Sequence, residues 1–256
     1  MPLQVLTIPC LSDNYAFVAH DPESGETAVI DVPEAAPILA ALQDRGWRAD
    51  HVLLTHHHAD HVQGLDELLA AHPARVVGAR ADVHRLPPLD LAVSEGDEVM
   101  IGAQRGTVIA VPGHTLGHVA FHFPQSRVAF TGDSLMALGC GRVFEGTMAQ
   151  MWESLSKLAA LPADTLICSG HEYTAANGRF ALSVEPGNAA LQARVGDITR
   201  AREDGRPTVP SELALELATN PFLRAAEPAL AGAVGLGAGT PAAEVFAELR
   251  GRKDRF

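Results

Sequence analysis

The sequence predicts an α+β chain, an αββα sandwich followed by a small all-helical region. Three observations carry that reading. Short apolar runs bounded by Gly, Pro, Asp and Ser recur through the first two thirds of the chain, as strands do. Helical spacing interrupts those runs instead of alternating with them regularly, which suits two sheets with helices outside. Beyond residue 172 only helical spacing remains.

In chain order, residues 3–8, 16–19 and 27–30 are apolar or alternating runs and read as strands. Residues 33–46 place Ile38, Leu39 and Leu42 at helical spacing and stop at Gly46. Residues 52–54 form a short buried strand, followed by a histidine cluster and a helix through Leu65, Leu68 and Leu69. Residues 75–78, 107–111, 119–123, 128–131 and 165–168 read as further strands, and 148–161 as a helix. The helices at 173–184, 188–203, 211–218 and 241–249 follow, separated by Gly/Pro breaks. A boundary is expected between 1–172 and 173–256.

The 256 residues, 47% hydrophobic and 20% charged, suit one large domain with an appendage. The net charge of −12 opposes a general grip on nucleic acid or anionic membrane, so neither is expected as a partner. All of the excess lies in residues 1–172, which hold 9 Lys+Arg against 21 Asp+Glu, whereas 173–256 hold 10 of each. The last seven residues, with four cations and one anion, read as a basic tail. Three cysteines form no disulfide framework and suit a reducing compartment. With no targeting segment and no apolar stretch of about 18 residues, a soluble, cytoplasmic monomer is expected.

Twelve histidines are many for this chain, and four of them fall together in Thr55-His56-His57-His58-Ala59-Asp60-His61. The H-x-H-x-D-H pattern follows a strand and leads into a helix. His56 and His58, two apart in extended chain, point the same way. The turn into the helix redirects Asp60 and His61 toward a second point. Two points with nitrogen and oxygen donors suit two divalent ions, with zinc, iron or manganese compatible. Three more elements share one form, an apolar strand, a glycine, then a donor: Gly113-His114, Gly132-Asp133 and Gly170-His171. His57 is expected to point away, and His118 and His122 to support ligands or lie at the surface. His20, His51, His72 and His84 are expected to be exposed. Cys10, Cys140 and Cys168 are assigned no metal, and Asp31 at most a supporting place.

This set resembles the metallo-β-lactamase superfamily, and within it glyoxalase II, the hydroxyacylglutathione hydrolases. Further matches are Gly139-Cys140-Gly141-Arg142, Glu145-Gly146, Gly170-His171-Glu172-Tyr173-Thr174, Asn220-Pro221-Phe222-Leu223-Arg224 and Arg250-x-x-Lys253-Asp254, spanning nearly the whole chain. The resemblance implies one metal site from His56, His58 and His114, another from Asp60, His61 and His171, and Asp133 bridging them. Two divalent ions are implied, zinc foremost, iron or manganese as alternatives. Asp60 would also orient the hydroxide held between them. Arg250 and Lys253 would hold the glycine carboxylate of glutathione, and Arg142, Phe144 and Tyr173 would line the path of the tripeptide. The family pattern has lysine where Arg142 stands and tyrosine where Phe144 stands.

The implied reaction is hydrolysis of S-D-lactoylglutathione and related 2-hydroxyacylglutathione thioesters to glutathione and a 2-hydroxy acid, the second step of methylglyoxal detoxification. The alternatives are a mononuclear-iron glutathione persulfide dioxygenase, another hydrolase of the same fold, and a metal-binding scaffold without turnover.

Overall fold

The computed structural model describes residues 1–256. Two six-stranded sheets face each other. The first runs in sequence order: β1 (Gln4–Cys10), β2 (Asn14–His20), β3 (Thr27–Ile30), β4 (His51–Leu53), β5 (Arg75–Ala79) and β6 (Leu91–Val93). β1 to β3 pair antiparallel and β3 to β6 parallel. The second contains β7 (Glu98–Ile101), β8 (Gln104–Ala110), β9 (Val119–Phe123), β10 (Val128–Gly132), β13 (Leu166–Ser169) and β14 (Ser211–Glu212), in the order β14-β13-β10-β9-β8-β7. A hairpin of β11 (Leu135–Met136) and β12 (Gly139–Cys140) separates β10 from β13.

The crossovers of the first sheet are α1 (Ala35–Arg45) and the short α2 (Ala59–Val62) with α3 (Leu65–Ala71). On the second sheet lies α4 (Met148–Ala159), started by a capping box in which Thr147 and Gln150 satisfy each other's backbone N–H. α5 (Thr174–Val184), α6 (Ala189–Glu203), α7 (Leu213–Thr219), α8 (Pro228–Ala233) and α9 (Ala242–Asp254) complete the chain. No helix is long and apolar enough to cross a membrane.

One core of 37 buried residues includes the inner faces of both sheets, where Phe17 and Phe130 meet at 5.7 Å. A second core of 20 joins the outer face of the second sheet to α4 and the C-terminal helices, through residues such as Met151, Phe222 and Phe246. Continuous apolar strands fit this double burial, since both faces of β9 and β10 are covered.

The two-sheet sandwich stands as expected, with local differences. β6, the β11–β12 hairpin and β7 are not among the expected strands; in β7 the exposed–buried alternation and the turn at Gly102 (φ 57°) make a hairpin with β8. Ser211 and Glu212, expected to open a helix, instead pair with Ile167 and Leu166, so a strand from beyond residue 172 extends the second sheet. Residues 228–233 form an unforeseen helix, with Pro228 in its first turn. The C-terminal basic residues are no free tail, because α9 runs to Asp254 and buries Arg250 against Cys140.

Candidate metal centre and its cavity

The chain leaves β4 extended through His58 (φ −60°, ψ 143°) before α2 begins at Ala59. That extension sets His56 and His58 side by side, with Nε2 and Nδ1 3.1 Å apart. His114, carried on the loop after β8, brings its Nε2 to 3.0 Å from His58 Nδ1. The first turn of α2 swings Asp60 and His61 the other way. There Nε2 of His171, after β13, lies 3.4 Å from both His61 Nε2 and Asp60 Oδ2. Asp133, after β10, reaches both groups: its Oδ2 is 3.4 Å from His114 Nε2 and 3.2 Å from His171 Nε2, and its Oδ1 is 3.5 Å from His61. All seven residues named from the sequence therefore converge on one place.

The outward nitrogens are also held. His61 Nδ1 lies 2.8 Å from Asp31, His171 Nδ1 3.0 Å from Asp13, and His114 Nδ1 2.8 Å from the carbonyl of Arg142. With those protons pointing outward, the inner nitrogens present lone pairs to one another. Like lone pairs about 3 Å apart repel unless a cation or proton lies between them. Asp133 Oδ1, buried without a hydrogen-bond partner, makes the same demand. The donor set, nitrogen with carboxylate oxygen, fits borderline divalent ions.

The buried carboxylates make a parallel demand for positive charge, met by a proton where no cation sits. Burial opposes charge on His171, yet Asp133 and Asp60 outweigh it and push its pKa up to about 10. Burial likewise opposes ionisation of Asp133, but His61 and His171 hold its carboxyl well below the usual range. On the other side, burial and neighbouring imidazoles push His56 well below its ordinary value.

Three residues stand behind the donors: sequence reasoning gives Asp31 and His118 a supporting place and misses Asp13. Asp31, in a left-handed conformation (φ 57°), accepts from the Thr55 N–H, the Thr55 hydroxyl and His61. Asp13 pairs with His171 across 158 residues, a separation no local pattern signals. His118 takes the supporting alternative, not the surface one: it is buried, and its ring stacks on His56 at 4.7 Å. Burial pushes its pKa down to about 3, so the neutral ring accepts the Asp133 N–H at 3.1 Å. Elsewhere, His57 turns away toward Asp82, and His122 is buried on β9. His20, His51 and His72 are half-buried, not exposed: His20 stacks on Trp47, His51 meets Glu26, and His72 accepts from Ala49. His84 is exposed.

Removing Asp31 is expected to weaken metal binding by about 10–100-fold, because the partner that fixes a ligand's ring and basicity is lost. A chelator competition titration of Asp31→Ala reads this directly, and an affinity within twofold of the parent would show that Asp31 does not orient His61.

The donors open onto a cavity of about 500 Å³. His58, Asp60, His114, Asp133 and His171 form one wall, while His56 and His61 lie fully buried behind it. Arg142, Phe144, Tyr173, Arg250 and Lys253, the five residues expected along the substrate path, all line it. Tyr173 stacks on His171 at 4.7 Å, and Phe144 stands exposed at the rim, 5.3 Å from the His114 ring. Arg250 is buried, gives Nη1 to the Cys140 carbonyl at 2.8 Å and Nη2 to Asp254 at 2.9 Å, and keeps Nε without a partner. Half-buried Lys253 lies over Phe180, its pKa lowered by burial and then by Arg250, Arg179 and Arg142.

Fold and donor set together define the class: the model of the metallo-beta-lactamase superfamily matches residues 21–171. A second model, described as hydroxyacylglutathione hydrolase C-terminus, matches residues 172–256. The hydroxyacylglutathione hydrolase of Cereibacter sphaeroides is 66% identical over 256 residues, all of both chains. That of Ruegeria pomeroyi is 61% identical over the same full length. Among solved structures, TTHA1623 in a di-iron-bound form is 25% identical with a TM-score of 0.63, the match covering 86% of this chain and all of that one. The chain belongs to the hydroxyacylglutathione hydrolase family.

Proposed function

We propose that the chain hydrolyses hydroxyacylglutathione thioesters, S-D-lactoylglutathione foremost, to glutathione and a 2-hydroxy acid, and so performs the second step of methylglyoxal detoxification. The observation that carries this is a single cavity with five of the seven convergent donors on one wall, His56 and His61 behind them, and Arg250 and Lys253 on another. Full-length identity to hydroxyacylglutathione hydrolases supports the same reading.

In this reading His56, His58 and His114 hold one divalent ion, Asp60, His61 and His171 the other, and Asp133 serves both. Zinc is the first choice, with iron, as in the di-iron form of TTHA1623, or manganese as alternatives. When bound, such a pair supplies an ionised water at neutral pH and polarises the thioester carbonyl. Asp60, on the cavity wall and held in its charged form by His171, would accept a hydrogen bond from such a water and orient it. Arg250 and Lys253 hold the glycine carboxylate, and Arg142, Phe144 and Tyr173 flank the tripeptide. The leaving thiolate, with a pKa of about 8.5, departs without a dedicated acid.

We divide the chain functionally after residue 172, with 1–172 supplying the donors and 173–256 supplying Tyr173, Arg250 and Lys253 to the substrate wall. A cytoplasmic monomer is part of the proposal, and the buried free thiols Cys10, Cys140 and Cys168 suit that compartment.

The test is thiol release from S-D-lactoylglutathione by the purified protein, before and after a chelator. One thiol per thioester is expected, with loss on chelation and recovery on adding zinc. No turnover with metal restored overturns the reading, and oxygen uptake with glutathione persulfide would favour the dioxygenase alternative.

A further inference from the structure

The tip of the β11–β12 hairpin is held almost entirely by side chains from beyond residue 173. Leu138, at a left-handed φ of 54°, buries its side chain against Ala181, Leu191 and Ile198 of α5 and α6. Its N–H donates to Glu216 Oε2 at 2.9 Å. Asn220 Nδ2 donates to the carbonyls of Met136 and Gly139, at 3.1 and 3.0 Å, and to Glu216 Oε2 at 3.1 Å. Asn177 donates to the Ala137 carbonyl, and Arg250 to that of Cys140. Glu216 and Asn220 are fully buried at the end of α7, and Glu216 is also paired with buried Arg194.

The base of the hairpin is fixed differently. Gly141 N–H donates to the Ser134 carbonyl, Ser134 N–H to that of Thr131, and Asp133 N–H to His118. Those partners all belong to the donor-bearing part of the chain. Loosening the tip therefore leaves Asp133 clamped, while Cys140 and Arg250 lose their mutual register.

We propose that Asn220, with Glu216, is a positioning residue for glutathione recognition: by gripping the hairpin tip it sets the Cys140 carbonyl that orients Arg250 across the cavity. The inference rests on the hydrolase reading, with Arg250 at the tripeptide carboxylate. Buried carbonyls stripped of their donor cost more than the bond itself was worth, so the tip must shift to find new partners. That shift moves the tripeptide end of the cavity and leaves the metal end in place.

Asn220→Ala tests this in the full-length, metal-loaded protein. KM for S-D-lactoylglutathione is expected to rise about tenfold, with kcat within twofold and metal content unchanged. Inhibition by S-methylglutathione, which cannot be hydrolysed, weakens by the same factor. Asn220→Ser, which retains a donor, gives a smaller rise and carries the test if the alanine variant does not fold. Unchanged KM and inhibition in a folded variant, or a fall in kcat and metal content with KM intact, overturns the proposal. A parent protein that neither turns over the thioester nor binds S-methylglutathione means that the hydrolase reading itself has failed, and the inference falls with it.

Discussion

Asp133→Ala is expected to lower kcat/KM for S-D-lactoylglutathione by at least about 10³-fold and to halve the bound metal or worse. The residue approaches both donor groups, with Oδ2 3.4 Å from His114 and 3.2 Å from His171 and Oδ1 3.5 Å from His61. Losing an outer partner of a ligand costs about 10–100-fold, and losing a shared ligand costs more, because two ions lose charge compensation together. In the two-ion reading, loss of that carboxylate would also leave the cations to repel each other. Metal analysis of the purified variant beside steady-state kinetics checks the result. A variant with full metal content and kcat/KM within tenfold would remove Asp133 from the centre.

The second large effect comes from a residue with no side chain. Gly170→Ala is expected to weaken metal binding by about 10–100-fold and to destabilise the fold by about 1–3 kcal/mol, as overpacking does. A Cβ on Gly170 would stand 2.6 Å from Asp133 Oδ1 and 2.7 Å from His61 Cε1. Neither neighbour can retreat freely. The His61 ring is held behind by Asp31 at 2.8 Å, and the Asp133 backbone is held by His118 at 3.1 Å. One methyl group thus pushes on a ligand from each of the two chain segments. Chelator competition with thermal unfolding measures both parts of the effect, and unchanged metal affinity would show that the centre yields more easily than this packing implies.

Gly170 also shows how far the sequence could be read. The form "strand, glycine, donor" located His114, Asp133 and His171, and backbone freedom is the simplest reason for its glycine. That explanation suits Gly132, at φ 48°, where the chain bends after β10. At Gly170 the backbone is not left-handed, and the reason is close approach: a donor group occupies the space a Cβ would take. The motif was legible and its physical cause differed between two of its copies.

The strands and helices that carry the site were legible because their apolar spacing is local. β7 and β14 were less so for opposite reasons. Glu98–Ile101 is four residues long, and its alternation is clear only once Gly102 is seen as a turn. Ser211 and Glu212 have no strand character, and they pair only because β13 presents a free edge to them. The same division holds in the centre. Ligands within six residues of one another, from His56 to His61, announce themselves. Asp13, His118 and the Arg142 carbonyl act through partners remote in sequence, and only tertiary structure brings them there. The basic C-terminus misled for a related reason, since its charge was visible while the packing of Arg250 on Phe222 was not.

The Asn14–His171 bridge, with the bonds from Tyr15 N–H to the Gly170 carbonyl and from Glu172 N–H to that of Asp13, ties the turn before β2 to the loop after β13. Donors thus come from both sheets, His56 to His61 from one and Asp133 and His171 from the other. Ions seated between them would act as a clasp across the sandwich. Whatever free energy they release on binding is then spent against opening the two layers, since the unfolded chain offers no such seat. A chain held this way would lose its rigidity and its metal-dependent chemistry together.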